Sequence, residues 1–81
     1  MAKYDALRER LQRGAEPVSL TFDAIADLVG GLPASAYRHD AWWANDATHV
    51  QARAWLDAAR TITRVDRSGQ QVRFSAPAAG K

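Results

Sequence analysis

Apolar residues recur at helical spacing at the start of the chain and then switch to strict alternation. Tyr4, Leu7 and Leu11 are separated by three or four residues with polar residues between them, which predicts an amphipathic helix ending near Gly14. Over residues 18–22 every second side chain is apolar, which predicts a short strand with one covered face.

Two further helices are expected after this strand. Thr21 is suited to cap the first of them, and Gly30-Gly31 is suited to end it. Pro33 is acceptable as a first helical residue and predicts a short helix over residues 33–39.

The pattern then becomes irregular before a longer helix is predicted. Residues 39–44 show no clear period. Asn45 or Asp46 is suited to cap a helix over residues 47–60. That helix is expected to pack inward through Trp55 and Leu56.

The C-terminal part of the chain predicts a β-hairpin. Thr61–Asp66 and Gln71–Ser75 are the expected strands, and Ser68-Gly69 is the expected turn between them. The expected cross-strand pairs are Val65 with Val72, Thr63 with Phe74, and Arg64 with Arg73. In that register the valine pair lies on the covered side and the arginine pair on the other.

Together these elements predict an α+β, winged-helix-like fold of the helix-turn-helix class. Three main helices and a short helix are expected to pack on a small three-stranded antiparallel sheet, in which the lone strand joins a β-hairpin wing. At 81 residues the chain has room for one core. We expect a single domain over residues 1–75 and a flexible tail over residues 76–81.

Charge is unevenly distributed along the chain. Residues 1–46 carry five basic and seven acidic side chains, whereas residues 47–81 carry six basic and two acidic ones. This asymmetry points to nucleic acid or another polyanion as a partner. The excess of arginine over lysine is also what a GC-rich genome produces.

Composition excludes several classes of protein. The chain has no cysteine, so it holds neither a disulfide framework nor a thiolate metal site. No apolar run approaches the roughly 20 residues that span a bilayer. The charged N-terminus does not resemble a signal peptide. We therefore expect a cytoplasmic protein that does not enter a membrane.

A Trp-Trp-x-Asn core at residues 42–45 is followed by His-x-Gln-Ala-x-Ala-Trp-Leu at residues 49–56. Lys3-Tyr4, Leu20-Thr21-Phe22, Leu32-Pro33-Ala34-Ser35-Ala36 and Val72-Arg73-Phe74 extend the pattern. Through these motifs the chain resembles, over residues 3–75, a family of small bacterial domains of unknown function. The resemblance implies a nucleic-acid-binding module without an established reaction.

Trp42 and Trp43 are candidates for contacting a base. Adjacent residues on regular backbone face different ways, so one indole is expected to anchor the core. The other either covers a helix or stands exposed as a wall on which a base stacks. In the second case the neighbouring Asn45 is placed for a bidentate contact to an adenine edge.

Polar side chains cluster at the start of the predicted long helix. In one interpretation Thr48, His49 and Gln51 reach base edges while the N–H groups of the helix start meet a phosphate. Arg53 on the outward face assists this contact, whereas Asp57 repels phosphate. In the other interpretation these residues cap the helix and face water.

Arginine residues are concentrated around the predicted hairpin. Arg64 opposite Arg73 places like charges directly across an antiparallel pair, which destabilises it by a fraction of a kcal/mol. With Arg60 and Arg67 nearby, the hairpin forms a basic ribbon suited to phosphates. The alternative is a solvent-exposed face on which Asp66 partly neutralises the positive charge.

No catalytic, cofactor or metal site is predicted. Neither a Ser/His/Asp arrangement nor a pair of carboxylates in an apolar setting has supporting local sequence. His39 and His49 lack the usual spacing of shared metal ligands. We therefore expect a protein that is not an enzyme and that needs no cofactor.

Three functional hypotheses follow. The first is a DNA-binding module in which the long helix and its Trp-Trp-Ala-Asn lead-in face the bases and the hairpin arginines bind phosphates. The alternative is a protein-interaction or assembly domain of the same shape, with an interface formed by the exposed tryptophan and the small-residue face around Val50, Ala54 and Ala58. The third is a sensor of a small molecule or modified base, which requires an open pocket lined by Trp42 or Trp43.

Overall fold

The computed structural model describes residues 3–78 as an α+β fold with four α-helices, one 3₁₀ helix and three strands. In chain order these are α1 (Asp5–Leu11), β1 (Val18–Thr21), α2 (Phe22–Val29), α3 (Ala34–Arg38), the 3₁₀ helix Asp40–Trp43, α4 (Ala52–Leu56), β2 (Ile62–Asp66) and β3 (Gln71–Phe74). The predicted α+β class and the small three-stranded antiparallel sheet are confirmed.

The sheet has the strand order β1-β3-β2 and is antiparallel throughout. Along each strand, inward apolar residues alternate with outward polar ones. The inward residues are Val18, Leu20, Ile62, Val65, Val72 and Phe74. The outward residues, here called the outer sheet face, are Ser19, Thr21, Arg64, Asp66, Gln71 and Arg73.

A β-bulge sets the register of the hairpin. The predicted pairs Val65–Val72 and Arg64–Arg73 are confirmed. The predicted pairing of Thr63 with Phe74 is wrong, because Ile62 occupies that position and the register shifts between Ile62 and Arg64. Strict alternation would turn Ile62 to solvent, and the extra residue of the bulge returns it to the core.

Aromatic residues form the centre of the core. The ring of Trp43 stacks on Phe22 with a centroid distance of 5.0 Å and on Trp55 with a distance of 6.2 Å. Trp55 continues the cluster to Phe74 at 6.0 Å. All four side chains are at most 1% exposed. The cluster joins α2, the 3₁₀ helix, α4 and the sheet.

The predicted boundaries of α2 are confirmed by its capping bonds. The Thr21 hydroxyl accepts a hydrogen bond from the Ala24 N–H at 3.0 Å. At the other end Gly30 has a φ of 78°, and the Gly31 N–H bonds to the Ala26 carbonyl at 2.8 Å. This left-handed position favours glycine. The helix predicted next is also present, as α3.

The predicted long helix is wrong in length. Of residues 47–60, only Ala52–Leu56 form α4. On its N-terminal side the Asp46 carboxylate accepts hydrogen bonds from the N–H and the hydroxyl of Thr48 at 2.9 and 2.7 Å. Such a side-chain turn offers the backbone an alternative to helical hydrogen bonding. The segment before α4 therefore forms turns.

The same segment also ends earlier than predicted. Ala59 adopts left-handed backbone, with a φ of 63°. The N–H of Arg60 bonds to the Trp55 carbonyl at 2.9 Å, and the N–H of Ala59 bonds to the Leu56 carbonyl at 3.0 Å. These two bonds form a Schellman motif, which ends the helix and directs the chain into β2. With α2 the longest at eight residues, no helix in the described part of the chain could cross a membrane.

The segment after β3 returns to the body of the domain. The Ala78 N–H donates to the Ala59 carbonyl at 2.7 Å. Residues 79–81 of the predicted tail lie outside the described residues. The flexibility of residues 76–81 stays a prediction.

Candidate nucleic-acid interface

The outer sheet face brings two arginines and a hydroxyl together. Arg64 of β2 and Arg73 of β3 lie directly opposite each other, and both are exposed. On the other side of Arg73, its guanidinium lies 3.4 Å from the Ser19 hydroxyl of β1. The sequence prediction missed Ser19. The alternation of apolar and polar residues in β1 indicates that Ser19 faces outward. It does not indicate that Ser19 lies beside Arg73, because that depends on the register between β1 and β3.

Asp66 is the acidic residue of the outer sheet face. Its carboxylate accepts hydrogen bonds from the Gly69 N–H at 2.9 Å and from the Ser68 hydroxyl at 3.0 Å. These bonds, with a smaller contribution from the nearby charge of Arg64, hold the pKa of Asp66 below its usual value. The carboxylate therefore stays ionised and is committed to the hairpin turn.

Arg67 in the hairpin turn is tied to the helical part of the domain. Its Nε donates to the Asp40 carboxylate at 2.6 Å, and its Nη1 donates to the Arg38 carbonyl at 2.8 Å. These contacts hold the turn against the end of α3 and the start of the 3₁₀ helix. No local sequence pattern indicates these contacts, because Arg67 lies 27 residues after Asp40 and 29 residues after Arg38.

Trp43 belongs to the core and not to an interface. It is 1% exposed, and its indole N–H donates to the Ala36 carbonyl at 2.8 Å. Its ring therefore has no free face on which a base can stack. Trp42 is partly buried, with edge contacts to Trp43 at 4.6 Å and to Tyr4 at 6.4 Å. The structure thus favours the interpretation in which one indole anchors the core and the other covers a helix.

Asn45 links α4 to β2 through its side chain. Its Oδ1 accepts from the Trp55 indole N–H at 2.9 Å and from the Ile62 N–H at 2.8 Å. Its Nδ2 donates to the Ile62 carbonyl at 3.0 Å. A bidentate contact to adenine would require these bonds to break. In this structure Asn45 instead holds α4 against β2.

The other polar residues before α4 are also engaged within the chain. Thr48 bonds to Asp46, and Gln51 donates to the Trp42 carbonyl at 3.0 Å. The Nε2 of His49 lies 3.8 Å from an Asp46 oxygen, while its Nδ1 is buried without a hydrogen-bond partner. Hydrogen bonds from Thr48 chiefly lower the pKa of Asp46. The cluster predicted to read base edges thus forms a local turn.

Arg53 lies apart from the hairpin arginines. It points from α4 towards Asp57 at 3.5 Å and lines a depression shared with Tyr4 and Arg8 of the α1 region. Of the predicted site residues, the structure therefore brings only Arg64 and Arg73 together on one open face, with Arg67 in the turn that joins their strands.

Almost all of the described chain is covered by one family match. A family model described as Domain of unknown function (DUF7662) matches residues 4–78. The chain belongs to DUF7662. The match confirms the resemblance to a domain family of unknown function. No curated protein and no solved structure matches the chain.

Arg60 has a different position in this DUF7662 domain from the one the sequence predicted. It was expected beside the hairpin in a basic ribbon, but it is 1% exposed. Its guanidinium donates to the carbonyl oxygens of Leu11, Arg13, Gly14, Glu16 and Ser75, at 2.6 to 3.4 Å. Arg60 is therefore unavailable to a phosphate and instead clamps the end of α1 and the segment after it.

The predicted protein-interaction surface of the DUF7662 domain is mostly covered. Ala54 and Ala58 are only 4% and 7% exposed. Val50 is 69% exposed and lies in the turn before α4. Single exposed apolar residues are ordinary on protein surfaces. The interface expected around these three residues is therefore reduced to Val50.

The two histidines lie on different segments of the DUF7662 domain. No group of three or more His, Cys, Asp or Glu residues within residues 3–78 is placed to hold a metal ion. His39 lies at the end of α3, whereas His49 contacts Asp46 before α4.

Proposed function

We propose that this DUF7662 chain is a nucleic-acid-binding module for duplex DNA, with a winged-helix layout. In this proposal Arg64 and Arg73 on the outer sheet face bind backbone phosphates, and Ser19 adds a hydroxyl donor. The order of helices and strands, with the lone strand pairing to the second strand of a C-terminal hairpin, supports the layout.

The observation that carries the proposal is the arginine pair Arg64–Arg73. Like charges directly across an antiparallel ladder destabilise it, by up to about 1 kcal/mol. A phosphate between the two guanidinium groups removes this repulsion and accepts charge-assisted hydrogen bonds from both. Binding of an anion therefore relieves the part of this repulsion that the neighbouring Asp66 carboxylate does not offset.

The proposed binding mode is contact with the sugar-phosphate backbone. Phosphate contacts fix position on a duplex without reading its sequence. The polar residues that were candidates for base contacts are engaged in hydrogen bonds within the chain, as described for Asn45 and Gln51. We therefore propose weak sequence preference and a strong dependence on salt concentration.

The test is the binding of a fluorescently labelled random-sequence DNA duplex, measured by anisotropy from about 50 to 200 mM salt. We expect log K to fall linearly with log salt. Arg64→Ala and Arg73→Ala should each weaken binding and reduce the slope by about 0.9, the contribution of one phosphate contact. The double variant should lose both contributions.

Arg53→Ala is the matched control, because it removes one exposed arginine away from the outer sheet face. It should leave the slope unchanged. Thermal unfolding of each variant separates loss of binding from loss of fold. A slope that is the same in the wild type and in the Arg64/Arg73 double variant would contradict the proposal.

A further inference from the structure

An open cleft of about 440 Å³ separates α3 and the 3₁₀ helix from the hairpin turn. It is lined by Tyr37, Asp40, Val65, Asp66, Arg67 and Ser68. The ion pair between Arg67 and Asp40 lies in it, with the two side chains 43% and 68% exposed. Exposed pairs contribute little to stability. Another anion can therefore replace Asp40 at low cost.

We propose that Asp40 competes with nucleic-acid phosphate for Arg67 and so restrains binding. This inference rests on the proposed function, because its occupant is a phosphate of the same DNA duplex. Without DNA, the carboxylate offsets the charge of Arg67 and repels an approaching phosphate. In the complex, the phosphate takes the guanidinium and the Asp40 side chain turns to solvent.

The hydrogen bonds of Arg67 suit this exchange. A guanidinium has five N–H donors, and Arg67 uses its Nε for Asp40 and one Nη1 hydrogen for the Arg38 carbonyl. The bond to the Arg38 carbonyl does not depend on Asp40 and can hold the side chain in place during the exchange. The remaining N–H groups and the released Nε are then available to phosphate oxygens in a bidentate arrangement.

Arg67 lies at the hairpin end of the sheet, and the cleft that it lines meets the outer sheet face at Asp66, which borders both. Arg67 directly follows β2, which carries Arg64, and the hairpin returns through β3, which carries Arg73. The backbone segment at Arg38 that it contacts belongs to α3, whose Tyr37 and Arg38 side chains are exposed. Release of Arg67 therefore provides a third guanidinium in the cleft next to the proposed phosphate-binding surface.

The experiment compares the wild type with Asp40→Asn and Asp57→Asn in the same duplex titration. Both substitutions remove one exposed carboxylate paired with an arginine, so they change the net charge equally. We expect Asp40→Asn to tighten binding about three- to tenfold at low salt, which corresponds to the removal of one nearby like charge in water. The salt slope should steepen by about 0.9. Asp57→Asn should change both the affinity and the salt slope by less than Asp40→Asn does.

The same two substitutions in an Arg67→Ala variant distinguish the release of Arg67 from a general gain of positive charge. In Arg67→Ala, the Asp40→Asn change should give no larger effect than Asp57→Asn. If the wild type binds and Asp40→Asn behaves like Asp57→Asn, the competition is overturned while the proposed function stands. If no variant binds the duplex at the lowest salt, the proposed function itself fails. Binding by Asp40→Asn alone would support the competition most directly.

Discussion

At the scale of single residues, Ala59 occupies a backbone position that usually belongs to glycine. Its φ of 63° places its Cβ close to a carbonyl oxygen, at a cost of about 1–2 kcal/mol relative to glycine. Its side chain is exposed, so it returns little packing energy. The Schellman motif at the end of α4 therefore stores a small local strain.

Replacement of Ala59 by glycine should relieve this strain. We expect Ala59→Gly to raise the free energy of unfolding by about 1 kcal/mol. For a domain of this size that corresponds to a rise in Tm of roughly 4–8 °C. Thermal unfolding followed by circular dichroism measures it. Ala34→Gly, at an exposed alanine of α3, is the control and should lower stability. Equal effects of the two substitutions would argue against strain at Ala59.

At the scale of elements, the Asn45 side chain hydrogen-bonds to β2 along the edge that no other strand of the described chain covers. Its amide accepts from the N–H of Ile62 and donates to the carbonyl of the same residue, as a neighbouring strand would. The third bond, from the Trp55 indole, attaches the same amide to α4. One side chain thus covers part of an edge strand and braces a helix against it.

Loss of this amide should loosen the contact between α4 and β2. Asn45→Ala leaves the Trp55 indole N–H and the Ile62 backbone groups without their partner, and we expect a loss of about 2 kcal/mol in the free energy of unfolding. Urea unfolding followed by tryptophan fluorescence measures it. Thr48→Ala, which removes a bond on the exposed side of the same turn, should cost less. A stability equal to the wild type for Asn45→Ala would show that solvent satisfies these groups.

Elements with local signals could be predicted from the sequence, and elements that depend on distant contacts could not. The Thr21 cap and the Gly30 stop are encoded within a few residues of α2, so its bounds were predictable. The short length of α4 depends on the Asp46 turn and on an alanine in the left-handed region. The bulge before Arg64 depends on the inward position of Ile62, which only the assembled core defines.

The residues of the candidate site also differ in whether local signals or distant contacts position them. The Arg64–Arg73 pair was predictable, because the turn fixes the register near it. The pairing of Arg67 with Asp40 joins segments that are distant in sequence. Because Trp42 and Trp43 are adjacent, the sequence pattern also does not indicate that Trp43 is the buried indole. Which arginines are free for a ligand is therefore a property of the folded chain.

At the scale of the whole molecule, Arg60 fastens the N-terminal helix to the C-terminal strands. All five of its N–H donors have carbonyl acceptors, on the segment that ends α1 and after β3. The last carbonyls of a helix carry partial negative charge, which favours a cation there. The buried charge is thus stabilised by backbone dipoles at the point where both halves of the domain meet.

Removal of this clamp should destabilise the entire domain. Arg60→Met keeps most of the side-chain volume but leaves the buried Leu11 carbonyl and four partly buried carbonyl groups without their donors, so we expect a loss of roughly 3 kcal/mol. Urea unfolding with tryptophan fluorescence and circular dichroism should show one earlier transition by both probes. Arg60→Lys, with three donors and the same charge, should be intermediate. An unchanged midpoint for Arg60→Met would refute the clamp.

The reach of Arg60 also has a consequence for the order in which the domain assembles. Four of its acceptors lie 44 to 49 residues earlier in the chain, and the fifth lies 15 residues later. Contacts across such separations form after local ones, because the closure of long loops costs entropy first. During synthesis on the ribosome, α1 emerges well before the side chain that secures its end. Helix α1 is therefore among the last parts of the domain to be fixed, because a nascent chain that stops before residue 60 lacks the side chain that secures its end.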